Sequence, residues 1–351
     1  MNMAAPVAPL AVHVAAADDA RLDPFVRAHP DGAFFHLAKW TAAVERGTGQ
    51  KSHYLVAEQG GSVRGVLPLT EIRSALFGNA LVSAGFGTGG GILAADDRTA
   101  EALAGAAWEL AERLGCKSAE LRGGPVPEGW RASKGIYASF ACAISGTAET
   151  LLAAIPRKQR AEVRRALTFD LESSCGTDRR HRDAHYRVYA ESVRNLGTPV
   201  FPRSLFEAAL DAFGDEARID LIRKDGRPLA AMLSFTFNNC CQPYWGGGTR
   251  EARQWRANDL VYYEVMRRAL EAGCTRVDFG RSKIGTGPWD RKRIWGFEES
   301  QLTYAVRAAD GGAVRAVNPL DPKYRLKIAA WQKLPLWAAN RLGPIIARGL
   351  G

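Results

Sequence analysis

The sequence predicts a mixed α/β (α+β) protein made of two similar halves, and three observations carry that reading. Stretches with alternating apolar residues recur between stretches with apolar spacing of three and four, the mark of strands interleaved with helices. The order of these elements in residues 1–150 is repeated in residues 151–312. In each half one strand runs into a glycine-rich exit and is followed by a helix closed by a glycine. At 351 residues the chain is long enough for two domains that each bury a core.

The first half opens on Leu10–Val14, an apolar alternation read as a strand and not as a leader, because no basic segment precedes it. Helical spacing follows over 18–29 and 36–47, where Leu37, Trp40 and Val44 share a face. Residues 52–58 and 62–73 alternate as two strands around Gln59-Gly60-Gly61, a hairpin turn. A third strand over 80–86 ends in the glycine run Gly85–Gly91, read as structural. A helix over 97–114, closed by Gly115, and strands over 118–122 and 137–144 complete this half. The second half reads strand 167–173, helices 180–195 and 203–213, then strands 219–224 and 228–237 around Asp225-Gly226. Strand 240–245 exits into Gly246-Gly247-Gly248, helix 258–272 closes on Gly273, and strand 276–279 follows. Strand–helix–strand crossovers imply some parallel pairing and hairpins imply antiparallel pairing, so the sheets are expected to be mixed.

With 46% apolar and 24% charged residues, the composition is that of a globular protein and excludes a disordered or fibrous chain. No run approaches the roughly 20 apolar residues of a membrane span. The net charge is +10, and residues 313–351 carry much of it: Lys323, Arg325, Lys327, Lys333, Arg341 and Arg348 stand between Pro322 and Gly351 without a single acid. The rest of the chain is too nearly neutral to argue for duplex DNA as a partner, whereas the tail asks for an acidic surface. Trp331, Leu334, Leu336, Trp337, Leu342, Ile345 and Ile346 give this segment an apolar side. Peripheral attachment of 322–351 to anionic membrane and packing across the domains both fit that pattern. The six cysteines form no CxxC pair, which points to reduced thiols in the cytoplasm and to no metal site. His181 and His185 have i, i+4 spacing but lack a third ligand, so a solvated face is the expected reading.

The segment Val277-Asp278-Phe279-Gly280-Arg281-Ser282-Lys283, then Gly285-Thr286-Gly287, then Lys292-Arg293-Ile294-Trp295-Gly296-Phe297-Glu298, resembles a motif block of FemAB-like proteins of the PEP-CTERM/exosortase exopolysaccharide type. Asn318-Pro319, Pro322-Lys323-Tyr324-Arg325, Ala329-Ala330-Trp331 and Leu334-Pro335-Leu336 are similar to the same subfamily. The resemblance implies tandem GNAT-like acyltransferase domains with a cleft between them. It also implies transfer of an acyl or aminoacyl group to an amine of a cell-envelope or exopolysaccharide precursor, at the inner face of the cytoplasmic membrane. Arg291 departs from the pattern, standing where the family usually has an aromatic residue.

Acyl transfer to an amine builds charge on a carbonyl oxygen and releases a proton, so it calls for fixed positive charge and a proton acceptor. Arg281, Lys283, Arg291, Lys292 and Arg293 gather cations around a glycine-rich loop. Lys292 matches the family's lysine, and the resemblance implies that it stabilises the developing charge. Asp278, at a strand end, is the second catalytic candidate, either orienting Arg281 or accepting a proton. Arg281, Ser282, Lys283, Gly285, Gly287 and Trp289 are substrate-binding candidates. So are Arg157, Arg164 and Arg165, whose guanidinium forks suit a diphosphate, and Tyr244, placed to line a groove. Solvated cations, an Asp–Arg pair, a linker face and a core aromatic are the plainer readings of the same residues.

The usual acyl-CoA loop of GNAT enzymes, Q/R-x-x-G-x-G/A, is missing: the matching stretch Arg253–Asn258 has no glycine. The donor therefore stays open between acyl-CoA and aminoacyl-tRNA, as a co-substrate with no resident cofactor, and tRNA is a candidate partner. No GxSxG, HExxH or Walker motif offers another chemistry. A non-catalytic scaffold holding a lipid-linked saccharide in the same cleft is the second reading.

Overall fold

The computed structural model describes residues 8–16, 18–309 and 322–351, and Asn318-Pro319 of the family-like tail lies outside them. The chain runs β1 (Leu10–Val14), α1 (Leu22–Ala28), α2 (Ala38–Thr48), β2 (Ser52–Gln59), β3 (Ser62–Ser74), β4 (Gly78–Ser83) and β5 (Leu93–Ala94). It continues through α3 (Asp97–Arg113), β6 (Ser118–Arg122), β7 (Arg131–Ser133), β8 (Tyr137–Ala143), α4 (Ala148–Ala154), α5 (Arg157–Leu167) and β9 (Glu172–Gly176). Then come α6 (Arg179–Leu196), α7 (Arg203–Phe213), β10 (Ala217–Lys224), β11 (Arg227–Phe237), β12 (Cys240–Gly248) and α8 (Ala257–Glu271). The last elements are β13 (Arg276–Lys283), α9 (Gly287–Ile294), β14 (Glu298–Gln301), β15 (Tyr304–Ala308), α10 (Pro322–Lys333) and α11 (Leu336–Ala347).

Two compact units result, each with its own mixed sheet. One takes its described residues from 1–134, 303–316 and 348–351, the other from 135–302 and 317–347. The first sheet has the order β1-β2-β3-β4-β6-β15-β7, with β5 beside β3, and β4/β6 is its parallel pair. The second has the order β14-β8-β13-β12-β11-β10-β9, and β12/β13 is its parallel pair. In both, four antiparallel strands lead to one crossover helix, α3 or α8, which returns the chain parallel to the fourth strand. Helical crossovers are what parallel pairing requires.

Each unit buries an α/β interface of its own. In the first, Ala100, Leu103, Ala104, Ala107 and Ala111 of α3 pack on Leu55, Leu67, Leu69, Leu81 and Leu121. Small residues on α3 let it lie close to the sheet; a methyl group on Gly65 of β3 would stand 2.9 Å from Leu103 Cδ1. Asp96 caps α3 by accepting from Thr99 N at 2.8 Å. In the second unit Leu260, Val261, Val265, Met266 and Ala269 of α8 pack on Ile222, Ala230, Cys241, Val277 and Phe279. Ala184 and Val188 of α6 meet Leu221 and Ala231, which alternate with Ile222 and Ala230 and so lie on the sheet's other face.

The structure departs from the sequence reading at identifiable places. Residues 137–144, read as the end of the first half, form β8 of the second sheet, between β13 and β14. The strand beside β6 is instead β15, from beyond the second half's last predicted strand. Alternation identifies a strand but not its partner, so sequence could not make this exchange visible. The strand expected over 167–173 begins only at Glu172, because α5 runs to Leu167. The supposed loop at Gly285–Gly287 leads straight into α9, whose first turn holds Pro288, a residue suited to that place. Pro335 separates α10 from α11, while Pro344 sits inside α11.

Phe140 of β8 is fully buried with Val277, Phe279 and Trp295. Phe140→Ala is expected to destabilise the protein by about 3–5 kcal/mol. Hydrogen exchange should then quicken along β13 and β12 while β4 and β6 stay protected. Loss of protection in β6 instead would contradict the strand assignment.

Candidate active site

β12 and β13 pair through two residue pairs, Cys240 with Arg276 and Cys241 with Val277. Beyond them the strands part. β12 bulges against β11: Leu233 faces Trp245 while Ser234 faces Pro243, leaving Tyr244 as the extra residue. β13 bulges against β8: Asp278 faces Ala141 while Arg281 faces Ser139, and Gly280 takes φ +64°. Bulges bend and twist the strand that carries them, so two on adjacent strands open the sheet.

Beyond the paired residues, the glycine end of β12 borders a cavity of about 820 Å³, lined wholly by residues of the second unit. Gly246, Gly247 and Gly248 of β12 form one wall, with Ser192 and Asn195 of α6, Asn258 and Tyr262 of α8, and Gly287, Pro288 and Arg291 of α9 around it. The glycines are there for close approach. A methyl group at Gly247 would lie 2.2 Å from Ser192 Oγ, and one at Gly248 would lie 2.1 Å from Asn258 Oδ1. Thr249, Arg250 and Arg253, from the turn between β12 and α8, complete the rim. Arg250 and Arg253 are exposed, and neither forms an ion pair among the described residues. Arg291 donates to Asp259 Oδ1 at 3.0 Å and lies 5.1 Å from the centre of the Tyr262 ring. Burial raises the Asp259 carboxyl above its usual range, against the pull of Arg291, and burial likewise raises the Tyr262 phenol.

Of the residues singled out in the sequence, Gly287 and Arg291 line this cavity. Lys292 and Asp278 instead serve the β13 bulge. Lys292 is 7% exposed, and its ammonium donates to the carbonyls of Phe279, Gly280 and Arg281, the last two at 3.0 and 3.1 Å. Three carbonyls use all three of its N–H donors. Asp278 Oδ1 accepts from Gly280 N at 2.8 Å, and burial raises its carboxyl. Arg281 lies 4.4 Å from the centre of the Tyr137 ring. Ser282 is buried, and burial lowers the half-buried Lys283. Gly285 is exposed at φ +79°. Trp289 donates to Glu299 Oε1 at 2.9 Å, with Arg293 over its ring. Arg157, Arg164 and Arg165 are exposed on α5, whose inner side is Gln159, Val163 and Ala166. The Tyr244 ring packs 4.9 Å from that of Trp245.

His185 corrects the reading of a solvated face. It is 1% exposed, with Nε2 2.8 Å from Trp245 O, and burial holds it neutral by lowering its pKa to about 4. His181 sits beside Asp178 and Ser174. Among the described residues no group of His, Cys, Asp or Glu is arranged to hold a metal.

Sequence reasoning missed Ser192, Asn195, Arg250, Arg253, Asn258 and Tyr262. The i, i+4 spacing of Asn258 and Tyr262 beside the glycine exit was the signal available.

In the first unit the corresponding glycine run is packed against its own neighbours. Methyl groups at Gly85 and Gly91 would lie 2.6 Å from Thr70 Cβ and 1.9 Å from Gly123 O. Trp40 Nε1 donates to Gly85 O at 3.3 Å, and Arg122 Nη1 to Gly87 O at 2.7 Å.

Residues 156–292 match the family model for the acetyltransferase (GNAT) domain. The fold is a tandem GNAT-like one. The crystal structure of FemX superposes with a TM-score of 0.65 at 17% identity, covering 90% of this chain and 99% of that one. A tandem GNAT protein from the clavulanic acid biosynthesis pathway gives 0.56 at 15% identity, over 87% of this chain and 100% of that one. The C-terminal domain of a putative lysylphosphatidylglycerol synthetase from Agrobacterium fabrum gives 0.55 at 14% identity, over 83% and 92%. A search of curated protein sequences finds no match. The GNAT match spans β12, α8 and β13 and therefore the cavity.

Burial lowers the Lys292 pKa from 10.5 to about 8, so the unfolded chain binds this proton more tightly than the folded protein does. The group's contribution to stability therefore rises with pH between about 8 and 10.5. Urea unfolding on both sides of pH 8 should show the stability gap between the protein and Lys292→Met widening in the protein's favour as pH rises. A gap that stays constant would sink this assignment.

Proposed function

We propose that the protein is an acyl- or aminoacyl-transferase acting on an amine of a cell-envelope or exopolysaccharide precursor, with its site in the second unit. The observation that carries this is the open cavity where β12 and β13 part, rimmed by Arg250, Arg253 and Arg291 and ending at the start of α8. An anionic, phosphate-bearing donor suits that rim. Guanidiniums bind phosphate oxygens in pairs, and a helix start favours negative charge. The donor is an acyl-CoA or an aminoacyl-tRNA.

In this reading the acceptor amine attacks the donor's carbonyl carbon, passes through a tetrahedral oxyanion and gives up a proton as the leaving group departs. Tyr262, kept protonated by burial, supplies a neutral phenol on the wall. Lys292 and Asp278 act by position: they fix the β13 bulge, just before α9 carries Gly287, Pro288 and Arg291 to the cavity. The motif likeness supports a place in an exopolysaccharide system of the PEP-CTERM type, at the cytoplasmic side of the membrane. The lysylphosphatidylglycerol synthetase among the structural neighbours shares the fold.

Native mass spectrometry with acyl-CoAs, aminoacyl-tRNAs and lipid-linked precursors, each added separately, tests the reading. The double variant Arg250→Ala/Arg253→Ala should bind the donor at least about tenfold more weakly, as expected for two lost charge-assisted contacts. Its thermal unfolding should be unchanged. Donor binding that ignores both substitutions would refute the site. Binding of the precursor alone, with no donor, would favour the scaffold reading.

A further inference from the structure

α11 is packed inside out. Its buried side is made of Ala339, Gly343 and Ala347, small residues four apart. Gly343 fits so closely that a methyl group there would lie 2.9 Å from Val200 N. Three of its five large apolar residues face solvent, Trp337 at 74% exposure, Ile345 at 71% and Leu342 at 46%, while Leu336 and Ile346 are half-buried. A helix that served the core alone would bury the large side chains and show the small ones. α10 adds Leu326, 84% exposed. Lys327, Lys333 and Arg341 stand exposed among these residues, and 322–351 contains no acid.

We infer that this face is a docking surface for an anionic lipid bilayer, with α11 lying in the headgroup layer. Three features select that occupant. Exposed tryptophan and aliphatic side chains beside acid-free cations are what an interfacial helix needs, since apolar burial and attraction to anionic headgroups add together. Pairing with a second copy through this face would bring two acid-free cationic segments together, at a cost in like-charge repulsion. No helix among the described residues is long and apolar enough to cross a membrane, so the contact is one of lying on the surface. This inference stands apart from the transferase reading, because it depends on the tail's packing and not on the cavity.

Co-sedimentation of the full chain with phosphatidylglycerol-rich vesicles and with pure phosphatidylcholine vesicles tests it. The protein should bind the first and not the second, and salt should release it. Trp337→Ser/Ile345→Ser should weaken binding at least about tenfold, and so should Lys333→Glu/Arg341→Glu. These side chains are exposed, so thermal unfolding should match the parent and exclude misfolding as the cause. On vesicles, the parent's emission should shift to the blue by more than that of Trp337→Phe. Equal binding to neutral vesicles, or no binding at all, would overturn the inference. So would a concentration-dependent dimer that Trp337→Ser/Ile345→Ser dissolves without changing vesicle binding.

Discussion

Parallel pairing in the second sheet stops after Cys241 and Val277, and the glycine end of β12 beyond that point lines the cavity. A continuous pair of strands would leave no gap for a ligand. Both departures from regularity are small: one extra residue at Tyr244 and one beside Gly280. Where β13 bulges, three successive carbonyls, of Phe279, Gly280 and Arg281, turn toward one side chain, and buried carbonyls need donors. The Lys292 ammonium meets all three, and the Asp278 carboxylate holds the amide of Gly280. A short break in pairing thus accounts for a buried lysine and a buried aspartate.

Much of the fold was legible because its elements carry strong local signals. The β2–β3 and β10–β11 hairpins announce themselves by alternation around Gly60-Gly61 and Asp225-Gly226, and α3 and α8 by apolar spacing ending at Gly115 and Gly273. The repeat was visible for the same reason. Strand partnership was not, since β8 and β15 alternate alike whichever sheet receives them. Of the site, motif likeness pointed to the region of β13 and α9, where Gly287 and Arg291 line the cavity, while the glycines of β12 were read only as a strand exit. It did not find Arg250, Arg253, Asn258 or Tyr262, which come together through the crossover of α8 and carry no local pattern. His185 was misread because i, i+4 spacing gives the face of a helix but not whether that face is covered.

The two glycine runs do the same packing work, each in its own unit. Gly246–Gly248 let Ser192 and Asn258 come against the strand and line an open space. Gly85–Gly91 let Thr70, Phe35 and the Gly123 carbonyl come equally close in the first unit. Glycine content sets how near a neighbour can approach, while the neighbour decides whether a cavity remains. Repetition in sequence is therefore evidence for a repeated fold, while a site has to be read from what surrounds each run.

The same distinction governs the charges. The cations between Arg281 and Arg293 form the densest cluster around the motif, and density drew attention to them. Their surroundings tell another story: Lys292 is spent on carbonyls, Arg281 lies over Tyr137, Arg291 pairs with Asp259, and Arg293 covers Trp289. Each already has a protein partner, so offering that charge to a ligand means giving up an interaction. Arg250 and Arg253, inconspicuous in sequence, stand exposed at the rim of the cavity with no ion pair among the described residues. A cation with no prior claim on it binds an incoming anion at the least cost, and its place at the cavity follows from the fold, not from the run of charge around it.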